Sequence, residues 1–212
     1  MFGISNFWLF ALATLLLNLT PGNDFIYVAT RALSGGVRAG IISALGITAG
    51  LFIHVTASVM GLSAVLAKSA FAFNLIKYAG AAYLIYLGIK MLATKTKSIY
   101  GIRTDKQTIS TFTIFKQGFL TNVFNPKVAL FFISFLPQFA NANTPYFTAQ
   151  LFVLGLWFIF SGTLVSIAIA LMFGKLRNTL SSVTLFWKLQ QKFTGLVLIL
   201  LGLKLGLSRL KD

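Results

Sequence analysis

Long apolar stretches interrupted by proline are the feature that most restricts what this chain can fold into. Residues 2–17 include no charged side chain, and the stretch then meets Pro21, Gly22 and Asp24. Only 10% of the chain is charged, against about 25% in a typical soluble domain. Several apolar stretches approach the roughly 20 residues that span a bilayer. The sequence therefore predicts a polytopic membrane protein with no separate soluble domain.

The spacing of the apolar stretches predicts an all-α integral membrane protein with six transmembrane helices. Proline interrupts the first helix at Pro21 and the fourth at Pro126. The chain is expected to form a single transmembrane domain over 1–212. The predicted spans are 5–30, 39–66, 71–92, 112–140, 147–172 and 190–208.

An internal repeat relates the first three predicted spans to the last three. Residues 87–91 (LGIKM) in the third span match residues 201–205 (LGLKL) in the sixth, and the breaks fall in the first and fourth. Because three spans are an odd number, the second copy must enter the membrane from the opposite face. This inverted-topology plan is shared by many secondary transporters. Repeat one then covers about 1–92, a cytoplasmic linker about 93–111 and repeat two about 112–212.

The net charge of +15 does not indicate nucleic-acid binding, because no soluble basic face exists to carry it. Lysine and arginine lie mostly between the apolar stretches, where the positive-inside rule places them. Counting them on each side favours both termini outside. The absence of cysteine excludes disulfides, thiolate metal sites and thiol redox conduction.

Both prolines are expected to lie deep in the membrane. Pro21 lies ten residues before Arg31, and Pro126 lies ten residues after Lys116. At about 1.5 Å per helical residue, each proline is about 15 Å from the cytoplasmic flank, near the middle of a core about 30 Å thick. Backbone groups freed there are tolerated only inside protein or beside a water-filled cavity, toward which the half-helix ends point partial charges. The alternative is that each proline only shapes packing.

Asp24 and Lys127 are the charges closest to the two breaks. An ionisable residue at this depth is expensive and usually marks a transport pathway or a proton carrier. We hypothesise that the two side chains face one cavity and pair in one state of transport. The alternatives are that Lys127 extends its charge toward an interface and that Asp24 caps the half-helix after Gly22.

Small residues at helical spacing place His54, the only histidine, on a face directed toward protein. Gly46, Gly50, His54 and Ser58 recur every four residues, a pattern that lets helices approach closely. His54 is either a buried hydrogen-bonding residue or a participant in proton coupling. One histidine and no cysteine argue against a dedicated transition-metal site.

Further glycines are expected to mark tight packing, and Tyr83 beside them either lines a cavity or packs. The glycine pairs are Gly36 with Gly40, Gly80 with Gly88, Gly155 with Gly162, and Gly195 with Gly202.

These residues together resemble the LysE/RhtB-type family of bacterial amino-acid exporters over nearly the whole chain. Asn23 departs from the pattern, because it stands where the family usually has the second proline of its Pro-Gly-Pro motif. The start of the following half-helix is therefore expected to differ. The segments that carry the resemblance are 19–24 (LTPGND), 36–40 (GVRAG) with Gly46 and Gly50, 80–84 (GAAYL) with 87–88 (LG), 118–122 (GFLTN), 125–127 (NPK) and 135–139 (FLPQF).

The resemblance implies efflux of amino acids or their derivatives across the bacterial inner (plasma) membrane, driven by the proton motive force, with no cofactor. The partners it implies are the small-molecule substrate, protons and the lipid bilayer. Residues at the two breaks, with His54 and Tyr83 as secondary candidates, are expected to bind substrate or coupling ion. The break residues are Asn18, Thr20, Pro21, Gly22, Asn23, Asp24, Asn122, Asn125, Pro126 and Lys127.

A membrane enzyme, an exporter of another solute, a channel and a scaffold are the alternatives to amino-acid export. A membrane enzyme would need paired carboxylates or a nucleophile with its base, and Asp24 is the only acid found inside a predicted span. An exporter of another small solute or of a metal ion on the same fold stays open. A channel or scaffold would not need two matched breaks. Glycine-rich faces allow a homodimer, but the same faces are needed within one chain.

Overall fold

The computed structural model of the chain is helical, with no strand in the part it describes. The prediction of an all-α protein is confirmed for these residues. The predicted linker and much of the predicted sixth span lie outside them. The described residues are 3–93, 109–175, 192–193, 195–200, 202–203 and 206–207.

Several helices are long and apolar enough for a membrane protein. Asn23–Val65 and Phe147–Lys175 each suffice to cross a bilayer, and a pair of shorter helices broken near Pro126 forms a third such segment with a 47° bend. The membrane character is confirmed, while the number of six spans stays a prediction. The helices are α1 (Phe7–Leu19), α2 (Asn23–Lys68), α3 (Ala70–Ala93), α4 (Thr111–Val123), α5 (Pro126–Ser134) and α6 (Phe147–Lys175), with a 3-10 helix at Leu136–Phe139.

A kink at Gly36 divides α2 into two parts. Its 46 residues would run for about 69 Å if straight, more than twice the hydrocarbon core. At Gly36 the backbone has φ 75° and ψ −175°, a combination that is essentially restricted to glycine. The kink falls between the first two predicted spans, 5–30 and 39–66.

The kink corrects the expected role of Gly36. A Cβ added there would meet nothing within 4 Å, so this glycine serves the backbone turn rather than tight packing. Its expected partner Gly40 does pack closely, because a Cβ there would lie 2.8 Å from the Cβ of Ala170.

The long second part of α2 forms the centre of the bundle, between α4 and α6. Against α6 it runs antiparallel, with Gly40 facing Ala170 and Val55 facing Gly155. Against α4 it approaches through Gly50, where an added Cβ would lie 3.0 Å from the carbonyl oxygen of Phe119. Gly46 packs on the same helix. The predicted small-residue stripe is confirmed, and it fixes α4 against the centre of the molecule.

Large apolar side chains cover the outside of the bundle. Trp8 is 80% exposed, Phe71 78% and Phe124 76%, which is the arrangement expected of side chains that face lipid. The interior is also apolar and rich in phenylalanine, with Phe131, Phe132 and Phe158 packed ring against ring. Buried polar side chains are few among the described residues, and Thr20, Asn122 and Asn125 are the ones that lie at the helix breaks.

Candidate functional site

Both proline positions interrupt helices, as the sequence predicts. α1 ends at Leu19, the backbone is extended at Thr20 and Gly22, and α2 starts one residue later. α4 ends at Val123, and α5 starts at Pro126. Proline suits the first position of a helix, where its missing N–H would have had no partner. The two breaks leave four helix ends inside an otherwise apolar bundle.

Lys127 binds the carboxyl end of α1 from the second break. Its Nζ donates hydrogen bonds to the carbonyl oxygens of Leu17, at 3.0 Å, and Thr20, at 3.2 Å. The Thr20 hydroxyl donates to the carbonyl of Leu16 at 2.7 Å. Carbonyls in the last turn of a helix lack partners and carry partial negative charge, which an ammonium stabilises. Lys127 is therefore directed inward rather than toward an interface.

Asp24 lies in the first turn of α2, where the partial positive charge of the helix end favours an acid. Its Oδ2 accepts a hydrogen bond from Asn122 Nδ2 at 2.8 Å. Its Oδ1 is buried and makes no direct hydrogen bond to any described residue, although the Asn125 side chain lies near the carboxylate. Asn122 is itself fully buried in the last turn of α4, and its own Oδ1 also has no partner. The carboxylate thus retains unused capacity to bind a cation or a proton.

Asn125 caps the start of α5. Its Oδ1 accepts from the backbone N–H of Lys127 at 3.1 Å, and the side chain is 3% exposed. An asparagine in this position satisfies one of the free amides of a helix start. Its cap holds the first turn of α5, and with it the lysine, at the break.

α6 closes the site on a further side. Asn18 Nδ2 donates to the hydroxyl of Ser161 at 3.2 Å. A Cβ at Gly162 would lie 3.3 Å from the Asn18 amide, so the glycine leaves room for it. Ser161 and Ser166 were not predicted as site residues, because a serine within an apolar helix is unremarkable until its neighbours are known. The small-residue pattern at Gly162 was the only signal in the sequence.

A cavity of about 30 Å³ lies between the breaks and α6. It is large enough for one or two water molecules but too small for an amino acid. Asp24 and Lys127 both line it, as hypothesised, although the ammonium is bound to backbone carbonyls rather than to the carboxylate. The other polar or small residues in its wall are Asn18, Thr20, Gly22, Asn125, Gly162 and Ser166.

His54 contacts the same asparagine that binds Asp24. Its Nε2 lies 2.9 Å from the carbonyl oxygen of Asn122. Because a carbonyl only accepts, Nε2 carries the proton in this contact. The ring stacks on Phe132 at 6.1 Å, and the residue is 8% exposed. This geometry is that of a buried hydrogen-bonding histidine. It also connects the ring to the carboxylate of Asp24 through a single intervening residue, Asn122.

The remaining candidates do not line the cavity. Pro21, Asn23 and Pro126 form the backbone of the breaks, and Asn23 is exposed at the first residue of α2. Tyr83 lies on α3 and packs against the Tyr86 ring at 6.2 Å. Among the described residues, no group of three or more histidine or acidic side chains could hold a metal ion.

An apolar helical bundle with two internal helix breaks, and with a partly buried charge at each, has the architecture of a membrane transporter. The chain belongs to the LysE type translocator family, whose sequence profile matches residues 15–209. It is 35% identical to the uncharacterized membrane protein YrhP of Bacillus subtilis over 205 residues, covering 90% of this chain and 93% of that protein.

Two further relatives have names that state a substrate. A leucine efflux protein of Salmonella choleraesuis is 31% identical over 155 residues, which cover 72% of each chain. A homoserine/homoserine lactone efflux protein of Salmonella typhimurium is 36% identical over 150 residues, covering 70% of this chain and 71% of that protein. No solved structure matches this chain.

Proposed function

We propose that this protein exports amino acids or amino-acid derivatives across the bacterial inner membrane by proton-coupled secondary transport. The single observation that carries the proposal is the partly buried Asp24, whose Oδ1 makes no direct hydrogen bond, in the wall of a cavity shared with Lys127. The names of the leucine and homoserine efflux relatives support the class of substrate.

The two charges suit the two ends of a zwitterion. In this proposal the substrate ammonium binds the free oxygen of Asp24. The substrate carboxylate replaces the carbonyls of Leu17 and Thr20 as the partner of the Lys127 ammonium. A charged carboxylate is a stronger partner for an ammonium than a neutral carbonyl, so substrate binding releases the end of α1.

Proton coupling follows in this scheme from competition at Asp24. A protonated carboxyl group carries no charge and no longer attracts the substrate ammonium, so the proton and the amino acid bind alternately. Protonation from the outer side then releases substrate there, and loss of the proton to the cytoplasm restores the site. The cavity of about 30 Å³ represents a closed state, which must widen before an amino acid enters.

The proposed architecture is six spans in two inverted three-helix repeats. Contacts between α2 and α6 support it. Thr48 and Thr163 are 115 residues apart and contact each other, which suggests that equivalent positions of the two repeats are separated by 115 residues. With this offset, Val55 is equivalent to Ala170 and Gly40 to Gly155, so the Val55–Gly155 contact is equivalent to the Ala170–Gly40 contact. Thr48 and Thr163 hydrogen-bond to each other at 2.8 Å, as expected for equivalent residues beside a twofold axis.

Contacts between α3 and the C-terminal segment have the same symmetry. A Cβ at Gly195 would lie 2.9 Å from the carbonyl oxygen of Gly88, and one at Gly202 would lie 2.8 Å from that of Ala81. The repeat makes Ala81 equivalent to Gly195 and Gly88 equivalent to Gly202, and the residues of each pair are 114 positions apart. The two contacts are therefore exchanged by the proposed repeat.

Efflux from intact cells tests the proposed function. Cells producing the wild type, Asp24→Asn or no transporter are preloaded with labelled leucine or homoserine, and label loss is followed with and without an uncoupler. We expect fast loss only from wild-type cells, and slower loss when the uncoupler is present. The asparagine still accepts from Asn122, so the variant should insert normally. Equal export by inserted Asp24→Asn would refute the role of this carboxylate, and uncoupler-insensitive export would refute proton coupling.

A further inference from the structure

Apolar side chains form much of the cavity wall beyond the two charges. They come from α1, α2, α5 and α6, and all of them are at most 4% exposed. Van der Waals contact and exclusion of water are the interactions that such side chains offer. The apolar wall residues are Leu17, Phe25, Ile47, Leu51, Val128, Phe158 and Ile169.

Charge complementarity limits what the apolar part of the cavity can accept. Among the described residues that line it, Asp24 and Lys127 are the only ionisable side chains. The proposed function assigns both to the α-ammonium and α-carboxylate of the substrate. A lysine, arginine, aspartate or glutamate substrate would therefore bury a side-chain charge against hydrocarbon with no counter-charge, which is strongly unfavourable.

The polar side chains in the wall, apart from the two charges, are neutral. They are Asn18, Thr20, Asn125 and Ser166. Such amide and hydroxyl groups can hydrogen-bond a substrate, but they do not supply the counter-charge that a charged side chain requires. An aliphatic side chain needs no such partner and gains by leaving water.

We infer that the site selects neutral amino acids over charged ones, and that aliphatic side chains such as those of leucine, isoleucine and valine fit its apolar wall. This inference rests on the proposed function and specifies its substrate class. The side chain is held by the apolar wall, with Ile169 of α6 and Leu51 of α2 on opposing helices. The part of the wall that discriminates is thus separate from the pair of charges that binds the backbone groups common to all amino acids.

Competition among substrates provides the first test, with the unaltered protein. Cells are preloaded with equal concentrations of labelled leucine, lysine, glutamate and homoserine, and each rate is corrected for cells without the transporter. We expect leucine to leave at least about tenfold faster than lysine or glutamate. Lysine or glutamate efflux as fast as that of leucine would overturn the inference while leaving amino-acid export intact. Transporter-dependent efflux of none of the four would instead refute the proposed function, and the inference with it.

A counter-charge placed in the wall provides the second test. Ile169→Asp is compared with Ile169→Asn, which matches it in size but carries no charge. We expect the aspartate variant alone to gain lysine efflux, by at least about tenfold over the wild type, because the lysine ammonium now has a partner. An inserted Ile169→Asp that exports lysine no faster than Ile169→Asn would contradict the assignment of this wall. If the aspartate variant does not reach the membrane, the substrate competition decides the matter.

Discussion

Lys127 connects two helix breaks that are far apart in the sequence. Its ammonium binds the carbonyls of Leu17 and Thr20, 110 and 107 residues away. The same side chain and the carboxylate of Asp24 both line the cavity. In the proposed mechanism, one residue therefore stabilises the closed state through α1 and also offers the charge that a substrate carboxylate needs.

Replacing Lys127 by methionine removes the charge of the side chain but keeps its packing, so it tests the two roles of the ammonium group. Lys127→Met keeps most of the side-chain volume but leaves two carbonyls without their partner, which we expect to cost about 1–3 kcal/mol of stability. Thermal unfolding in detergent should shift downward, and efflux should be lost. Lys127→Arg, which retains a charge, should keep more of the stability than Lys127→Met. Wild-type efflux by Lys127→Met would show that no substrate carboxylate binds there.

Part of this site is predictable from the sequence. A shared cavity for Asp24 and Lys127 follows from their positions, because charges beside paired breaks are rarely lipid-facing. The carbonyl partners of Lys127 and the Asn18–Ser161 contact are not predictable in this way. Those depend on how α1 meets α5 and α6, which no local pattern specifies.

At the scale of helices, Pro126 leaves the carbonyl oxygen of Asn122 available to accept hydrogen bonds from other groups. In a continuous helix the N–H of residue 126 would donate to the carbonyl of Asn122, four residues earlier. Proline has no N–H, and that carbonyl instead accepts from His54 Nε2 at 2.9 Å and from the backbone N–H of Asn125 at 2.8 Å. The break thus connects α4 to α2 through His54 as well as bending the chain.

Pro126→Ala should let α4 continue toward α5 and compete with His54 for the Asn122 carbonyl. We expect reduced efflux with normal membrane insertion. Pro145→Ala, in the exposed connection before α6, is the matched control and should transport like the wild type. Full efflux by Pro126→Ala would show that the proline is dispensable for the mechanism.

The contact of α2 with α4 depends on a glycine beside Asn122. A Cβ at Gly50 would lie 2.7 Å from Asn122 Oδ1 and 3.0 Å from the Phe119 carbonyl oxygen. Gly50→Ala should therefore displace Asn122 from Asp24, lower stability by about 1–3 kcal/mol and reduce efflux. Gly61→Ala is the control on the same helix, because nothing lies within 4 Å of its added Cβ. Equal thermal stability of the two variants would contradict the close α2–α4 contact.

Helix boundaries are predictable from the sequence where an apolar stretch begins or ends. They are less predictable where the backbone conformation of a single residue determines the boundary. The fifth predicted span, 147–172, closely matches α6, because apolar residues fill it without interruption. Gly36 was expected to pack, yet it forms the kink that separates two spans inside α2. A glycine that allows a backbone turn and a glycine that allows close helix packing cannot be told apart in the sequence. Only the three-dimensional structure shows which role each one has.

At the scale of the whole molecule, the proposed repeats are expected to move against each other around the breaks. Thr48 and Thr163 lie on the two helices that would be exchanged by the repeat, with hydroxyl oxygens 2.8 Å apart. Weak similarity between 87–91 and 201–205 was enough to suggest the repeat from the sequence. The helix–helix contacts that support it are visible only in three dimensions.

A disulfide across this contact tests whether that movement is needed. The chain has no cysteine, so Thr48→Cys combined with Thr163→Cys introduces one defined pair, at positions whose side-chain oxygens are 2.8 Å apart in the wild type. We expect oxidation to stop efflux and reduction to restore it, while either single cysteine variant is insensitive to both treatments. Unchanged efflux by the fully cross-linked protein would contradict movement of α2 against α6 during transport.

Counterflow in proteoliposomes tests the central claim most directly, because it requires substrate translocation but no proton gradient. Purified protein is reconstituted into liposomes loaded with unlabelled leucine, and entry of external labelled leucine is followed. The account predicts transient accumulation of label with the wild type, and none with Asp24→Asn or with protein-free liposomes. Absence of counterflow for every amino acid with the wild type, or full counterflow with Asp24→Asn, would contradict transport of amino acids through this site.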